Sequence, residues 1–539
     1  MRIWFSGAWQ LSLALALALA GLAACSNAPR PAPPGPNAPA GGFSGFTPCP
    51  RSVADRYPAP AACGVLVVAE DRAQPRGRRL ALPIVRLRGS GGPPPRGEPV
   101  FNLNGGPGGS NLGFKLKTPA LLAAHDVILV GYRGVDDAEP LKCPEVERAI
   151  TVPAPLSDRG RAGMAVAAHA CAARLAAGGI DVSRYTIFDV VEDLEDARRA
   201  IGAQRVDLLS RSYGTRVAQD YARLHPDAIA RSAMFGVNPP GHFRWFPPVT
   251  DAVLDRYGAL CAADARCRAR TPDLANAVRR QLSRPDHAWL GLPIRRDKLQ
   301  VAGFFMLTNR STAVYLFDAV QAAEHGDDSG LFLIAQAYDL ILPRATVWGD
   351  MMAKGGVDAA TYGDCAPGSN FVAARRPSAG TIGSPMDLLL AGACSGWPVR
   401  AAPAAFNAPA RDETPTLLVN GELDIATPLV FGRDELLPML PNGRLVELKA
   451  FGHDDWAERQ QPALDRLLTR FMADRVVDAS LYAPDPVPFR LAWGAPAIAK
   501  IAVGGVILLA ASLGLGLFLT ARAALRWSSR RLPGAPVRS

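Results

Sequence analysis

Two rhythms of apolar residues alternate along the chain. Short runs that suit buried strands occupy 64–68, 80–87, 99–103, 126–130, 206–210, 230–237, 416–420 and 445–448, many of them ending at Gly, Pro or Asn. Between them a 3.6-residue rhythm predicts helices. The clearest covers 188–202, where Val190, Val191, Leu194, Ala197, Ala200 and Ile201 share one face and acids precede arginines, as the helix dipole favours. A closing helix is expected near 456–473. Strands alternating with helices imply an α/β fold with a mostly parallel central sheet covered on both faces. From 241 to 409 the pattern changes to helical stretches broken by Pro, with Phe304, Phe305, Tyr315, Phe317 and Trp348 among them. This segment reads as a helical lid inserted between two parts of one core, 49–240 and 410–480; a separate domain is the alternative.

Both ends carry apolar segments that do not fit this scheme. Residues 1–24 hold Arg2, a Leu/Ala run and small residues, the layout of a secretory signal peptide. The run ends in Leu22-Ala23-Ala24-Cys25, which resembles a bacterial lipobox and makes Cys25 the candidate lipidated residue. A Pro/Ala/Gly-rich stretch, 25–48, is expected to be a flexible tether. At the other end, a linker (481–500) leads into 501–520, which is uncharged and long enough to cross a bilayer core of about 30 Å as a helix. The tail, 521–539, contains Arg522, Arg526, Arg530, Arg531 and Arg538 and no acid, which places it in the cytoplasm and the body outside.

The net charge of +10 changes little once this tail is counted, because its five arginines are half of the excess and the body has no basic, aromatic-laced cluster for nucleic acid. Eight cysteines remain besides Cys25, an even number that suits disulfides in an exported chain. They allow on the order of a hundred pairings; the simplest joins sequential neighbours, Cys49–Cys63, Cys143–Cys171, Cys261–Cys267 and Cys365–Cys394. No C-x-x-C or H-E-x-x-H occurs, so no metal and no cofactor is expected.

Candidate chemistry sits at strand ends. The strand at 206–210 runs into Arg211-Ser212-Tyr213-Gly214-Thr215, a strand–turn–helix that lifts the Ser212 hydroxyl above the sheet as a nucleophile elbow. Ser210 stands where the G-x-S-x-G pattern has its first glycine; a serine-capped helix is the competing reading. The strand at 99–103 enters Asn104-Gly105-Gly106-Pro107-Gly108-Gly109-Ser110. Its spacing suits neither a phosphate loop nor a dinucleotide loop. It suits an oxyanion loop in which the N–H of Gly105 or Gly106 joins that of Tyr213, or else a plain turn. Asp424 follows the strand at 416–420, and His453 follows the strand at 445–448. The order Ser212, Asp424, His453, each just past a strand, is that of α/β-hydrolase triads.

These motifs, with Gly421-Glu422-Leu423-Asp424, Thr427-Pro428 and Gly452-His453, resemble the proline iminopeptidase/tripeptidyl aminopeptidase family of secreted α/β-hydrolases, over about 49–473 and nearer the tripeptidyl-aminopeptidase-like branch. Besides Ser210, the chain departs from relatives at Met234-Phe235-Gly236, where they often have Leu-Asp-Gly. The resemblance implies a serine exopeptidase acting on free peptide N-termini through an acyl-enzyme, with peptide as substrate; membrane lipid is the partner expected of the C-terminal helix and of Cys25. It also implies carboxylates for the substrate amine, for which Glu422 and Glu324 are candidates; solvated surface charge is the competing reading. The alternatives are a membrane-anchored esterase or lipase on the same machinery and an inactive hydrolase-like binding module.

Overall fold

A computed structural model describes residues 31–529 apart from 33–34, 36–37, 90–96, 362–370, 379, 395 and 400. The signal segment, Cys25, Cys365, the side chain of Cys394 and the last ten residues lie outside the described residues.

The core is a nine-stranded sheet: β1 (Thr47–Pro48), β2 (Ala61–Ala69), β3 (Arg79–Leu87), β4 (Val100–Leu103), β5 (Val127–Val130), β6 (Val206–Arg211), β7 (Ile229–Phe235), β10 (Thr416–Gly421) and β11 (Gly443–Leu448); β8 (His287–Trp289) and β9 (Leu292–Ile294) form a separate hairpin. The order is β1-β2-β3-β5-β4-β6-β7-β10-β11. The strands from β5 to β11 pair in parallel, and β1 to β3 add an antiparallel edge. β4, β5 and β10 are buried along their whole length, as parallel strands covered on both faces must be. This is an α/β-hydrolase fold, with its strand ends gathered along one rim.

One apolar layer packs beneath the lid through Phe101, Leu208, Val217 and Tyr221, and another on the opposite face through Val100, Leu209, Phe235, Leu464 and Phe471. The helix Ile187–Ala200, with a reciprocal Thr186/Asp189 cap, delivers the chain to β6. Helices fill the stretch between β7 and β10, and the helical layer also takes in Asp158–Ala177, which packs against Pro385–Cys394.

Two expectations change. The segment read as a tether is fixed along the sheet edge from Gly41 onward: Gly41 N–H donates to Val67 O and Val67 N–H to Gly42 O. There Phe43 and Phe46 meet edge-on at 5.1 Å. Two aromatics and a row of unpaired β2 backbone groups outweigh the loop-like composition. The apolar C-terminal helix is also longer than expected, Ala495–Ser529, because Pro496 suits a first turn that docks on the lid. It is long and apolar enough to cross a membrane.

Among the described residues, three disulfides join Cys49 to Cys63, Cys143 to Cys171 and Cys261 to Cys267, with Cα separations of 4.9, 5.4 and 5.1 Å. Cys143–Cys171 ties the start of the short helix Pro144–Ala149 to Asp158–Ala177 across 28 residues. Replacing both with Ser is expected to destabilise the protein by about 2–4 kcal/mol, read as a lower denaturant midpoint.

Candidate active site

Ser212 sits immediately past β6 with φ 55° and ψ −132°, a strained geometry for a side-chain-bearing residue. The turn is pinned on both sides. Ser212 N–H donates to Phe235 O at 2.9 Å, and Thr215 Oγ1 to Ser212 O at 2.7 Å. Gly214 lies so close to the carbonyls of Leu103 and Asn104 that any Cβ would collide with them. Ser210 is buried and its hydroxyl bonds the Ala233 carbonyl at 3.3 Å, so this small polar residue satisfies itself on the neighbouring strand. Phe235, at the second departure, stacks on Trp456 at 4.1 Å, three residues beyond His453.

Asp424 is fully buried and fully engaged. One oxygen accepts the N–H groups of Ala426 and Thr427, at 2.9 and 2.8 Å. The other accepts the Thr427 hydroxyl at 2.7 Å and His453 Nδ1 at 2.9 Å. Thr427 Oγ1 also lies 3.1 Å from Nδ1, so it fixes both partners. With Nδ1 turned to Asp424, Nε2 is left for chemistry. Burial acts to lower the His453 pKa, but the charge and hydrogen bond of Asp424 outweigh it. Asp454 adds to them and Arg211 opposes; the result is a value raised to about 9.

Ser212 and His453 flank the same small residue. A Cβ on Gly236 would stand 3.0 Å from His453 Cε1, while the carbonyl just before Gly236 accepts the Ser212 N–H. Among the described residues no hydrogen bond joins the Ser212 hydroxyl to His453. Such contacts often close only when substrate is bound.

The glycine loop faces the nucleophile. A Cβ on Gly105 would lie 2.9 Å from Ser212 Oγ, so only glycine leaves the hydroxyl free. The N–H groups of Gly105, Gly106 and Tyr213 donate no hydrogen bond among the described residues. Groups not singled out from the sequence hold this loop. Asn104 N–H donates to Asn111 Oδ1 at 2.7 Å, Asn111 N–H to Asp136 at 2.9 Å, and Tyr132 O–H to Asn104 O at 3.1 Å. From the lid, Val347 N–H donates to Gly108 O at 3.0 Å, Thr346 Oγ1 donates to Pro107 O at 3.1 Å, and Gly108 N–H donates to Asp350 at 2.9 Å. Asp350 is itself ion-paired with Lys354.

The lid also braces the histidine. His453 N–H donates to Thr308 O at 2.7 Å and Asp454 N–H to Asn309 Oδ1 at 2.6 Å. Arg211 and Asp454, each next to a candidate catalytic residue, pair at 3.1 Å. The two proposed amine receptors are already occupied. Glu324 is held by Arg280 and Gln281, and Glu422 lies 3.6 Å from Arg256 and 3.9 Å from Lys449. Among the described residues neither touches Ser212 or His453. The cluster of Cys143, Glu145 and Cys171 offers no thiolate for a metal, because the two cysteines are bonded to each other.

Two family models match the chain: one described as alpha/beta hydrolase fold over residues 98–263, and one described as TAP-like protein over 381–481. The first spans the glycine loop and Ser212; the second spans Asp424 and His453. Among curated proteins the chain is similar to a tripeptidyl aminopeptidase of Streptomyces coelicolor, 28% identical over 203 residues. That match covers 35% of this chain and 37% of the relative, so the chain matches well under half of that protein's length. It is also similar to serine protease Hip1 of Mycobacterium tuberculosis, 26% identical over 279 residues, covering 46% of this chain and 52% of the relative. Among solved structures, a serine hydrolase from Cycloclasticus zankles superposes with a TM-score of 0.37 at 12% identity, covering 77% of this chain and all of that one.

The geometry sets a pH dependence. If His453 is the general base it must be neutral, so kcat/KM is expected to climb about tenfold per pH unit between 7 and 8, to reach half its limit near 9 and to level above about 10. Because the folded pKa of about 9 exceeds the ordinary 6.5, the Asp424–imidazolium pair contributes stability that is complete below about 6.5 and lost as pH rises through about 9. Asp424→Asn is expected to shift the activity limb toward lower pH and to cut kcat by about 10⁴. A pH–rate profile of both proteins checks this.

Proposed function

Because the chain belongs to the TAP-like α/β-hydrolases, we propose that it is a serine exopeptidase that releases short peptides or single residues from free peptide N-termini. The observation that carries the reading is a serine held in a strained elbow against a glycine loop, beside a buried Asp–His pair on the same rim. That hydrolase family and the peptidase relatives support a serine peptidase; the exopeptidase mode is our reading.

In this mechanism His453 Nε2 takes the Ser212 proton as the hydroxyl attacks the scissile carbonyl. Asp424 keeps the imidazole in the right tautomer and steadies the imidazolium. The carbonyl oxygen becomes an oxyanion, received by the N–H of Tyr213 and that of Gly105 or Gly106. His453 then gives its proton to the leaving amine, and water hydrolyses the acyl-enzyme by the same route in reverse. Loss of one oxyanion donor typically removes about 2.7–4 kcal/mol of transition-state stabilisation. Recognition of the substrate amine by Glu422 or Glu324 would require each to release the cation it now holds. The disulfides and the long apolar helix support an exported protein tied to a membrane, with the catalytic body outside the cytoplasm and the arginine tail within it.

The test compares peptidyl anilides bearing free and acetylated N-termini with simple acyl esters. An exopeptidase turns over the free anilide and loses at least about a hundredfold in kcat/KM when the amine is blocked. Equal turnover of blocked and free anilides, or turnover of esters alone, would replace this reading with an endopeptidase or an esterase. Gly105→Ala, which drives a Cβ into Ser212 Cβ and Oγ, is expected to lower kcat about 10²-fold or more and to lower the melting temperature as well.

A further inference from the structure

The first turns of the C-terminal helix are not free of the body. Ala495 and Ala499 are buried, Pro496 packs over Gly330 and accepts a hydrogen bond from Ser329 Oγ at 3.5 Å, and Lys500 pairs with Asp327 at 2.7 Å. All of these partners lie at or just before the start of one lid helix, Ser329–Ile341. Beyond Lys500 the contact fades: 502–504 are half-buried and the helix is exposed from 505 to 526.

Depth follows from length. Residues 501–520 span about 30 Å, the full hydrocarbon thickness, so 495–500 occupy the next roughly 9 Å. That slightly exceeds one headgroup layer, about 5–8 Å. Trp493, half exposed, stands just above, where an interfacial tryptophan belongs. Whatever packs beside 495–500 therefore lies at headgroup level.

The β8–β9 hairpin packs further along the same lid helix. Trp289 meets Phe332 at 5.5 Å, His287 and Arg284 meet Asp328, and Pro293 O accepts from Gln336. Asp328 is the residue after the Lys500 partner. At the hairpin tip Leu290 is 72% and Leu292 38% exposed. The acids around the patch are neutralised: Asp286 by Arg295, Asp328 by Arg284, Asp339 by Lys298 and Asp327 by Lys500. An apolar tip among paired charges suits a phospholipid surface that carries its own negative charge.

We propose that residues 289–292 enter the headgroup–acyl boundary of the bilayer that holds the C-terminal helix, so that the lid is seated on the membrane at two points. This rests on the membrane-spanning reading of that helix. It gives the lid a structural reason to be stable, since the same lid holds the loops around Ser212 and His453.

The test uses the full chain reconstituted in nanodiscs of phosphatidylethanolamine and phosphatidylglycerol, with its disulfides kept oxidised. A nitroxide is attached at Leu290→Cys in one protein and at Leu513→Cys, mid-span, in another, and its collisions with oxygen and with a water-soluble nickel chelate are compared. The proposal expects the Leu290 label to collide at least several-fold more often with oxygen than with nickel, and to lie shallower than Leu513. A nickel-accessible Leu290 label overturns it, whether or not Leu513 is lipid-buried. A nickel-accessible Leu513 label would defeat the membrane span separately. Leu290 is exposed, so an unchanged melting temperature is expected to show that the labelled variant is folded.

Discussion

The candidate site depends on one buried charge. Asp424 has no exposed surface, and its carboxylate is stabilised by two backbone N–H groups, the Thr427 hydroxyl and the imidazole of His453. Taking an ion of this size out of water costs several kcal/mol unless each lone pair finds a donor. That demand fixes the turn after β10 and, through Nδ1, the orientation of the His453 ring. It also explains why the imidazole holds its proton to about pH 9 despite burial.

Around that pair the architecture works by close approach. Gly214 against the Leu103 carbonyl and Gly105 against Ser212 leave no room for a side chain, and Gly236, at φ 59°, would bring one within 3.0 Å of His453. The sheet brings β4, β6, β7 and β10 side by side, so loops far apart in sequence end at one rim. The lid then clamps these loops from outside. Residues 346–350 hold the glycine loop, and Thr308 and Asn309 hold the turn after β11. On these contacts the lid is part of the scaffold at both edges of the site, and the start of the C-terminal helix docks on the same lid.

Much of this was legible from local chemistry. Strand runs ending in small residues marked the elbow and the glycine loop, because a positive φ or a backbone contact admits few residue types. The chain order of Ser212, Asp424 and His453 followed from the strand order. Other parts depend on tertiary contacts that local patterns do not carry. Thr427 reads as an ordinary turn residue until Asp424 and His453 flank it. Asn104, Asn111, Asp136 and Asp350 look like polar loop residues, since nothing local signals that they are buried. Glu324 reads as a free acid because Arg280, 44 residues earlier, is invisible as its partner. The stretch from Gly41 to Pro48 has linker-like composition, and only Phe43 and Phe46 hint that it joins the sheet.

A nucleophilic Ser212 is most directly tested by treating the intact protein with a fluorophosphonate and mapping the modified residue by peptide mass spectrometry. The triad requires a single stoichiometric adduct on the peptide that contains Ser212, formed faster as pH rises from 7 toward 9 and absent from Ser212→Ala. An unmodified Ser212 peptide under conditions that label a control serine hydrolase, or an adduct that persists in Ser212→Ala, would contradict it.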